Sequence, residues 1–361
     1  MKALVAPLDW GLGHATRCAP VVREFLEKGC DVELAVTREN AAILREMFPD
    51  VRQRLAPSYN IVYPKHGYNM AFWLLKNSAH LRAVMRAEHH YAEEMVERHG
   101  YDILVSDNRF AFRSRKAKSV YMTHQCRIAF PKMLRMFEAF GAAWHASVMS
   151  RFDEVWVPDV PEFPGYAGSL SHVERCPRPL KFVGPLSRFA MLPLTQSTEK
   201  DLGIVAVVSG VEPARSRFAS RLSSVLPQIP GKHVVILGKP ASSLKTWTAG
   251  NVTFYNHLPT QEFADVISRA GWVISRGGYS TVMDMAVLGA KCIFVPTPGQ
   301  YEQVVLAADL SAAGFAVSIE EGSLSVDSLS KALQRADVVE LPRQSKNTLL
   351  SDAVTQILRR T

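Results

Sequence analysis

No stretch of this 361-residue chain approaches the roughly 18–20 consecutive apolar residues that span a bilayer. Nor does a basic and apolar leader with a cleavage site precede the opening Ala3-Leu4-Val5-Ala6. Export and a transmembrane anchor are therefore not expected; the expected place is the cytoplasm, with peripheral contact at the inner face of the membrane. Cysteine is scarce: Cys18, Cys30, Cys126, Cys176 and Cys292 are an odd number, lie far apart and form no C-x-x-C pair. That spacing argues against a zinc site or a disulfide framework and for reduced thiols. The chain also lacks an Asp-x-Asp pair, zinc-finger spacing, an RNA-binding aromatic signature and a long basic helix. Neither a bound metal nor a nucleic-acid partner is expected from these absences.

Apolar residues, by contrast, are plentiful, at 47% against 21% charged, enough for large cores, and the length fits two domains. Net charge is +8 from 42 basic and 34 acidic residues, a balance that favours anionic partners. Arg109, Arg113, Arg115, Lys116 and Lys118 fall within ten residues. Such a run reads either as a solvated loop or as a contact for an anionic membrane surface.

Short apolar runs alternate with helical patterns along the whole chain, the signature of parallel sheets with crossover helices. Strands are expected at Lys2–Leu8, Asp31–Thr37, Asp102–Ser106, Ser119–Thr123 and Glu154–Pro158, with helices at Ala15–Lys28 and Ala71–Arg98. Prolines then thicken, and Lys181–Pro185 reads as a last strand before a polar linker. A second series starts at Gly203, with strands at Ile204–Val208, His233–Leu237, Trp272–Ser275 and Cys292–Val295. Helices are expected there at Ala214–Val225, Gln261–Ala270, Ser280–Leu288 and Tyr301–Leu310. The expected fold is α/β: two Rossmann-like, doubly wound domains facing across a cleft. They would cover residues 1–190 and 203–361, joined by a linker at 191–202.

The candidate site residues sit at strand ends. After the first strand, Gly11 and Gly13 allow a tight turn and close backbone approach ahead of a helix N-terminus that favours phosphate. Thr16 stands where a third glycine would complete a dinucleotide fingerprint, which demotes a nicotinamide cofactor. His14 either takes a proton at this glycine-flanked strand end or caps the helix. Asp107, ending another strand, either orients that imidazole or pairs with Arg109 and loop amides. His124 ends the next strand and is an acceptor-contact candidate. In the second half, Ser275-Arg276-Gly277-Gly278-Tyr279-Ser280-Thr281-Val282-Met283-Asp284 is again strand, glycine turn and helix. Gly277 and Gly278 would expose amides, Ser280 or Thr281 would cap the helix and reach phosphate oxygens, and Asp284 would accept from a ribose diol. Asp284 also reads as an ordinary carboxylate favoured near a helix N-terminus.

This stretch, with Leu288–Pro296 and Gln300-Tyr301-Glu302-Gln303 after it, resembles the donor site of the GT-B glycosyltransferases. It is similar to the lipid II N-acetylglucosaminyltransferase group and more loosely to the UDP-glycosyltransferases. The resemblance implies that the glycine turn binds a diphosphate and that the acid six residues beyond Gly278, here Asp284 rather than a glutamate, binds ribose. It further implies sugar contacts from Gln303, Gln300 and Glu302, a second phosphate loop at Ser209-Gly210, and uracil reading at Leu258 in Asn256-His257-Leu258-Pro259. The first loop, with Arg17-Cys18, also resembles a nucleotide-sugar hydrolase of pseudaminic acid synthesis.

These resemblances imply an inverting, metal-independent hexosyl transfer from a UDP-sugar, a co-substrate rather than a cofactor, to a sugar or lipid-linked glycan. His14 would be the base, and Arg276 with helix N-termini would steady the departing UDP. Hydrolysis of the same donor and non-catalytic sensing of a UDP-sugar are the alternatives. For the transferase, Phe72-Trp73-Leu74-Leu75 offers either an acceptor contact or a buried helix face.

Overall fold

The structure, a computed structural model, describes residues 1–9, 12–59, 77–130, 136–193, 199–239, 243–342 and 347–361. Gly11 and the Phe72–Leu75 tetrad lie outside them. The chain forms two compact units, Met1–Arg188 with Gln344–Thr361, and Phe189–Arg343.

The first unit runs β1 (Lys2–Pro7), α1 (Leu12–Glu27), β2 (Asp31–Val36), α2 (Arg38–Met47), β3 (Arg52–Leu55), α3 (Ser78–His99), β4 (Ile103–Asp107), β5 (Lys118–Met122), α4 (Glu138–Met149), β6 (Glu154–Val157) and β7 (Leu180–Phe182). Its strands order β3-β2-β1-β4-β5-β6-β7, every pairing parallel. Ala3–Ala6 and Ile103–Val105 are fully buried, because a parallel sheet is covered on both faces and its central strands need apolar residues on each. The α1 helix lays Ala15, Cys18, Ala19, Val22 and Phe25 into that core and ends before Gly29, at φ +77°, a left-handed position that favours glycine.

The second unit runs β8 (Leu202–Val207), α5 (Ala214–Val225), β9 (His233–Ile236), β10 (Thr246–Ala249), β11 (Val252–Tyr255), α6 (Thr260–Ser268), β12 (Ala270–Ser275), α7 (Tyr279–Leu288), β13 (Cys292–Phe294), α8 (Tyr301–Ala312), β14 (Ala316–Ser318) and α9 (Val326–Leu333). The strand order is β10-β11-β9-β8-β12-β13-β14, antiparallel only between β10 and β11. Ile204, Ala206, Val235, Ile274 and Ile293 join Phe218 and Leu222 of α5 in one core.

In each sheet the winding reverses once, between β1 and β4 in the first unit and between β8 and β12 in the second. The crevice beyond the carboxyl ends at such a point is where open α/β sheets bind ligands. Among the described residues, the candidates that follow β1, β4, β8 or β12 lie beside one of these two reversals.

The sequence expectation departs from the structure at the edges. β3 (Arg-Gln-Arg-Leu) and β10, whose four residues are all exposed, carry no apolar run to betray them. The C-terminal segment belongs to the first unit rather than to 203–361. Helix α10 (Thr348–Arg360) buries Leu350, Ala353, Val354 and Ile357. Ahead of it, Asn347 Nδ2 donates to Val183 O at 2.7 Å and Pro185 O at 3.2 Å. Among the described residues no helix is long and apolar enough to cross a membrane.

Candidate active site

At the β1/β4 reversal, Pro7 pairs with Asp107, so the helix following β1 starts beside the end of β4. That helix begins at Leu12, and His14 is a first-turn helical residue rather than part of an open loop. His14 Nδ1 lies 2.9 Å from Asp107 Oδ2, and its side chain is 15% exposed. Asp107 therefore lies within hydrogen-bond reach of the imidazole. The second alternative, a pair with Arg109, is not realised: Asp107 instead meets Arg17, whose Nε lies 2.9 Å from Oδ1 and 3.0 Å from Oδ2. Arg17 also places Nη1 3.0 Å from His124 Nδ1, and Cys18 Sγ approaches Asp107 Oδ2 at 3.5 Å. Burial alone would raise the Asp107 carboxyl; the Arg17 charge, then His14, outweigh it and hold the group at about 2. Cys18, buried and next to that carboxylate, is pushed well above the usual thiol range, which makes it an inert neighbour rather than a nucleophile.

Arg109 faces away from this cluster and heads another. It is fully buried, with Nε 2.6 Å from Oε1 of the equally buried Glu88 on α3. Tyr59 Oη and Ala111 N donate to the other Glu88 oxygen, each at 2.8 Å. In the rest of the basic stretch, Lys116 meets Glu97 of α3 at 2.6 Å and Lys118 lies 4.0 Å from Asp153, while Glu93 accepts from Ser114 Oγ and the Arg115 backbone N. The α3 helix thus supplies acids to Arg109 and Lys116, and Arg115 is exposed.

In the second unit, β12 ends at Ser275 and α7 starts after Gly278, its N-cap. Most of α7 is buried, but Ser280, Thr281, Asp284 and Val287 are only half-buried and share one face. That face stands over first-turn amides, which any helix leaves without an acceptor inside the helix. Gln303, in the first turn of α8, accepts from Thr297 N at 2.8 Å and donates to Gln300 Oε1. A Cβ added at Gly278 would lie 3.8 Å from Gln303 Nε2. Gly277, Gly278, Gln300 and Gln303 are thus one cluster, with half-buried Glu302 on the same helix turn. At the end of β8, Ser209 is half-buried and Gly210 exposed at φ +104°, a conformation only glycine takes without strain. Leu258, half-buried, follows Asn256, whose side chain pins Lys245 N and Ser243 O across the β11 end.

Arg276 is a correction. It is expected to reach a departing diphosphate, yet it is 1% exposed and turned inward. Its Nη1 donates to Val295 O at 3.0 Å, its Nη2 to Ala214 O at 3.2 Å and lies 2.6 Å from Glu321, and the guanidinium sits 4.1 Å over Phe218. It holds the ends of β12 and β13 and the start of α5 together, as buried arginine forks do.

Residues 218–354 match the family model described as Glycosyltransferase family 28 C-terminal domain. A Sulfurihydrogenibium sp. (strain YO3AOP1) protein, named UDP-N-acetylglucosamine--N-acetylmuramyl-(pentapeptide) pyrophosphoryl-undecaprenol N-acetylglucosamine transferase, is 32% identical over 162 residues. That alignment takes in 43% of this chain and 45% of the relative. Over the full length, the glycosyltransferase SnogD from Streptomyces nogalater superposes with a TM-score of 0.65 at 16% identity, covering 100% of both chains. The chain has the GT-B fold of these glycosyltransferases, and its alignment with the curated relative spans less than half the length of either. A solved Acinetobacter baumannii MurG agrees, with a TM-score of 0.60 and 15% identity over 98% of this chain and 99% of that one.

For this GT-B chain, sequence reasoning missed the bracing residues. Arg17 stands three positions after His14, so one face of α1 carries both, a spacing that would have flagged it. Glu88 had no comparable signal, since it sits among other acids of α3.

Proposed function

We propose that this GT-B chain transfers a hexose-type sugar from a UDP-sugar to an acceptor hydroxyl, with inversion and without a metal ion. The supporting observation is the His14–Asp107 pair, 2.9 Å apart at the β1/β4 reversal. With Nδ1 directed at the carboxylate, the neutral ring carries its lone pair on Nε2. That nitrogen takes the acceptor's proton while the acceptor oxygen bonds to the anomeric carbon. The bond from that carbon to the diphosphate oxygen breaks, and UDP leaves with the electron pair. Asp107 stabilises the imidazolium that results.

The second unit grips the donor. The α7 N-terminus with Ser280 and Thr281, and the Ser209-Gly210 turn, take the phosphates; Asp284 takes the ribose and Leu258 the uracil. Gln300, Glu302 and Gln303 take the sugar. Arg276 acts indirectly, by fixing the strand ends. The 32% identity over 162 residues to a named N-acetylglucosamine transferase supports a sugar or lipid-linked glycan as acceptor. Hydrolysis, with water in the acceptor's place, is the second reading, favoured by the entry of Arg17 into the cluster.

A UDP-release assay over UDP- and TDP-sugars, with and without cell-derived acceptors and with EDTA, decides among these. Acceptor-dependent release from a UDP-sugar that survives EDTA is expected. Acceptor-independent release would make the protein a hydrolase, and loss in EDTA restored by magnesium would overturn the metal-free step.

A further inference from the structure

Arg17 is used by neither the base nor the donor grip, yet its guanidinium is only 2% exposed and joins two strand ends. It meets Asp107 at the end of β4 and His124 just after β5. A guanidinium offers donors only and keeps its proton. At 3.0 Å, His124 Nδ1 must therefore accept from Arg17 Nη1. A ring that accepts at Nδ1 is neutral and carries its hydrogen on Nε2. Asp107 imposes the opposite arrangement on His14. An ionised carboxylate only accepts, so His14 Nδ1 holds the hydrogen and Nε2 holds the lone pair.

We infer that Arg17 is a positioning residue that, together with the Asp107 it holds, locks His14 and His124 into opposite tautomers, His124 through its own contact and His14 through that of Asp107. His124, buried just after β5, then carries Nε2–H as a fixed donor. Arg17 has a second effect on the same pair. By offsetting the Asp107 charge, it limits how far that carboxylate favours protonated His14. The charged and titratable groups around the pair include Arg17 and Cys18 from α1, Asp107 from β4 and Tyr121 from β5. The inference rests on reading His14 as the base, but its first test does not.

Long-range proton–nitrogen NMR of the full chain, labelled with 15N-histidine, reports each tautomer directly. The expected spectrum has His124 protonated at Nε2 alone, and neutral His14 protonated at Nδ1. His124 protonated at Nδ1, or at both nitrogens at neutral pH, overturns the assignment whether or not His14 is catalytic. Two variants carry the test to turnover. In Arg17→Met, and less so in Arg17→Lys, the acidic limb of the UDP-release rate should move up by about one pH unit. His124 should also lose its fixed tautomer in Arg17→Met. A limb and a His124 tautomer both unchanged in a folded Arg17→Met protein would leave Arg17 a packing residue and overturn the inference.

Discussion

Asp107 is wholly buried and ionised, a combination that survives only because Arg17 and His14 flank it. Its carboxyl titrates at about 2 in the fold, against about 3.9 in an unfolded chain. The stabilisation is therefore complete above about pH 4 and is lost as pH falls from there towards 2, on the order of 2 kcal/mol. In Asp107→Asn that acid-linked loss should disappear from urea titrations at successive pH values. Turnover should fall as well, though less than on removing the imidazole. Asp284→Ala should weaken UDP binding by roughly 10–100-fold, the worth of a charge-assisted bond of about 1.5–3 kcal/mol; titration calorimetry reads it. Unchanged affinity in a folded variant would take Asp284 out of the site. At this scale the sequence was a partial guide. His14, Asp107 and His124 were legible as candidates because Asp107 ends a strand and each histidine follows one. The cation beside Asp107 was not: Arg109 is two residues away along the chain, while Arg17 is adjacent only once α1 has packed.

At the scale of elements, glycine turns announce helix starts, whereas the inward turn of a long side chain is decided by packing. Arg276 sits inside the recognisable turn but anchors Val295, Ala214 and Glu321. Arg276→Ala should thus cost about 3 kcal/mol of stability, read as a fall in the urea midpoint. A stable Arg276→Ala variant that has lost only UDP affinity would return the residue to the ligand. The α4 helix carries a second acid-sensitive group. His145, buried with Nε2 3.1 Å from Tyr121 Oη, is held down to about 4 by burial. Above the unfolded value of about 6.5 the ring is neutral in both states, and below it the unfolded chain takes the proton first. Stability should decline as pH falls from there to about 4, ahead of the Asp107 window. Flat stability between pH 7 and 4 would contradict this.

The whole molecule was the most legible level. Continuous apolar runs and helix patterns specify doubly wound sheets, and both reversals fall where the motifs stand. Edge strands and the return of α10 to the first unit escaped because neither follows from local pattern. Charge distribution also reads differently once folded. Glu88 and Glu97 pair with Arg109 and Lys116, which lowers the free charge of the basic stretch, so it should not draw the protein to membranes. Co-sedimentation with anionic vesicles at low salt should match that with neutral vesicles; a clear anionic preference abolished by Arg113→Ala and Arg115→Ala would restore the patch. Whether His14 is the base of a nucleotide-sugar reaction is read from steady-state kinetics of His14→Ala across pH. The expected result is a kcat lower by roughly 10²–10⁴-fold, donor affinity nearly unchanged, and loss of the acidic limb seen in the wild type. Normal turnover with weakened donor binding would contradict that role and make His14 a phosphate contact.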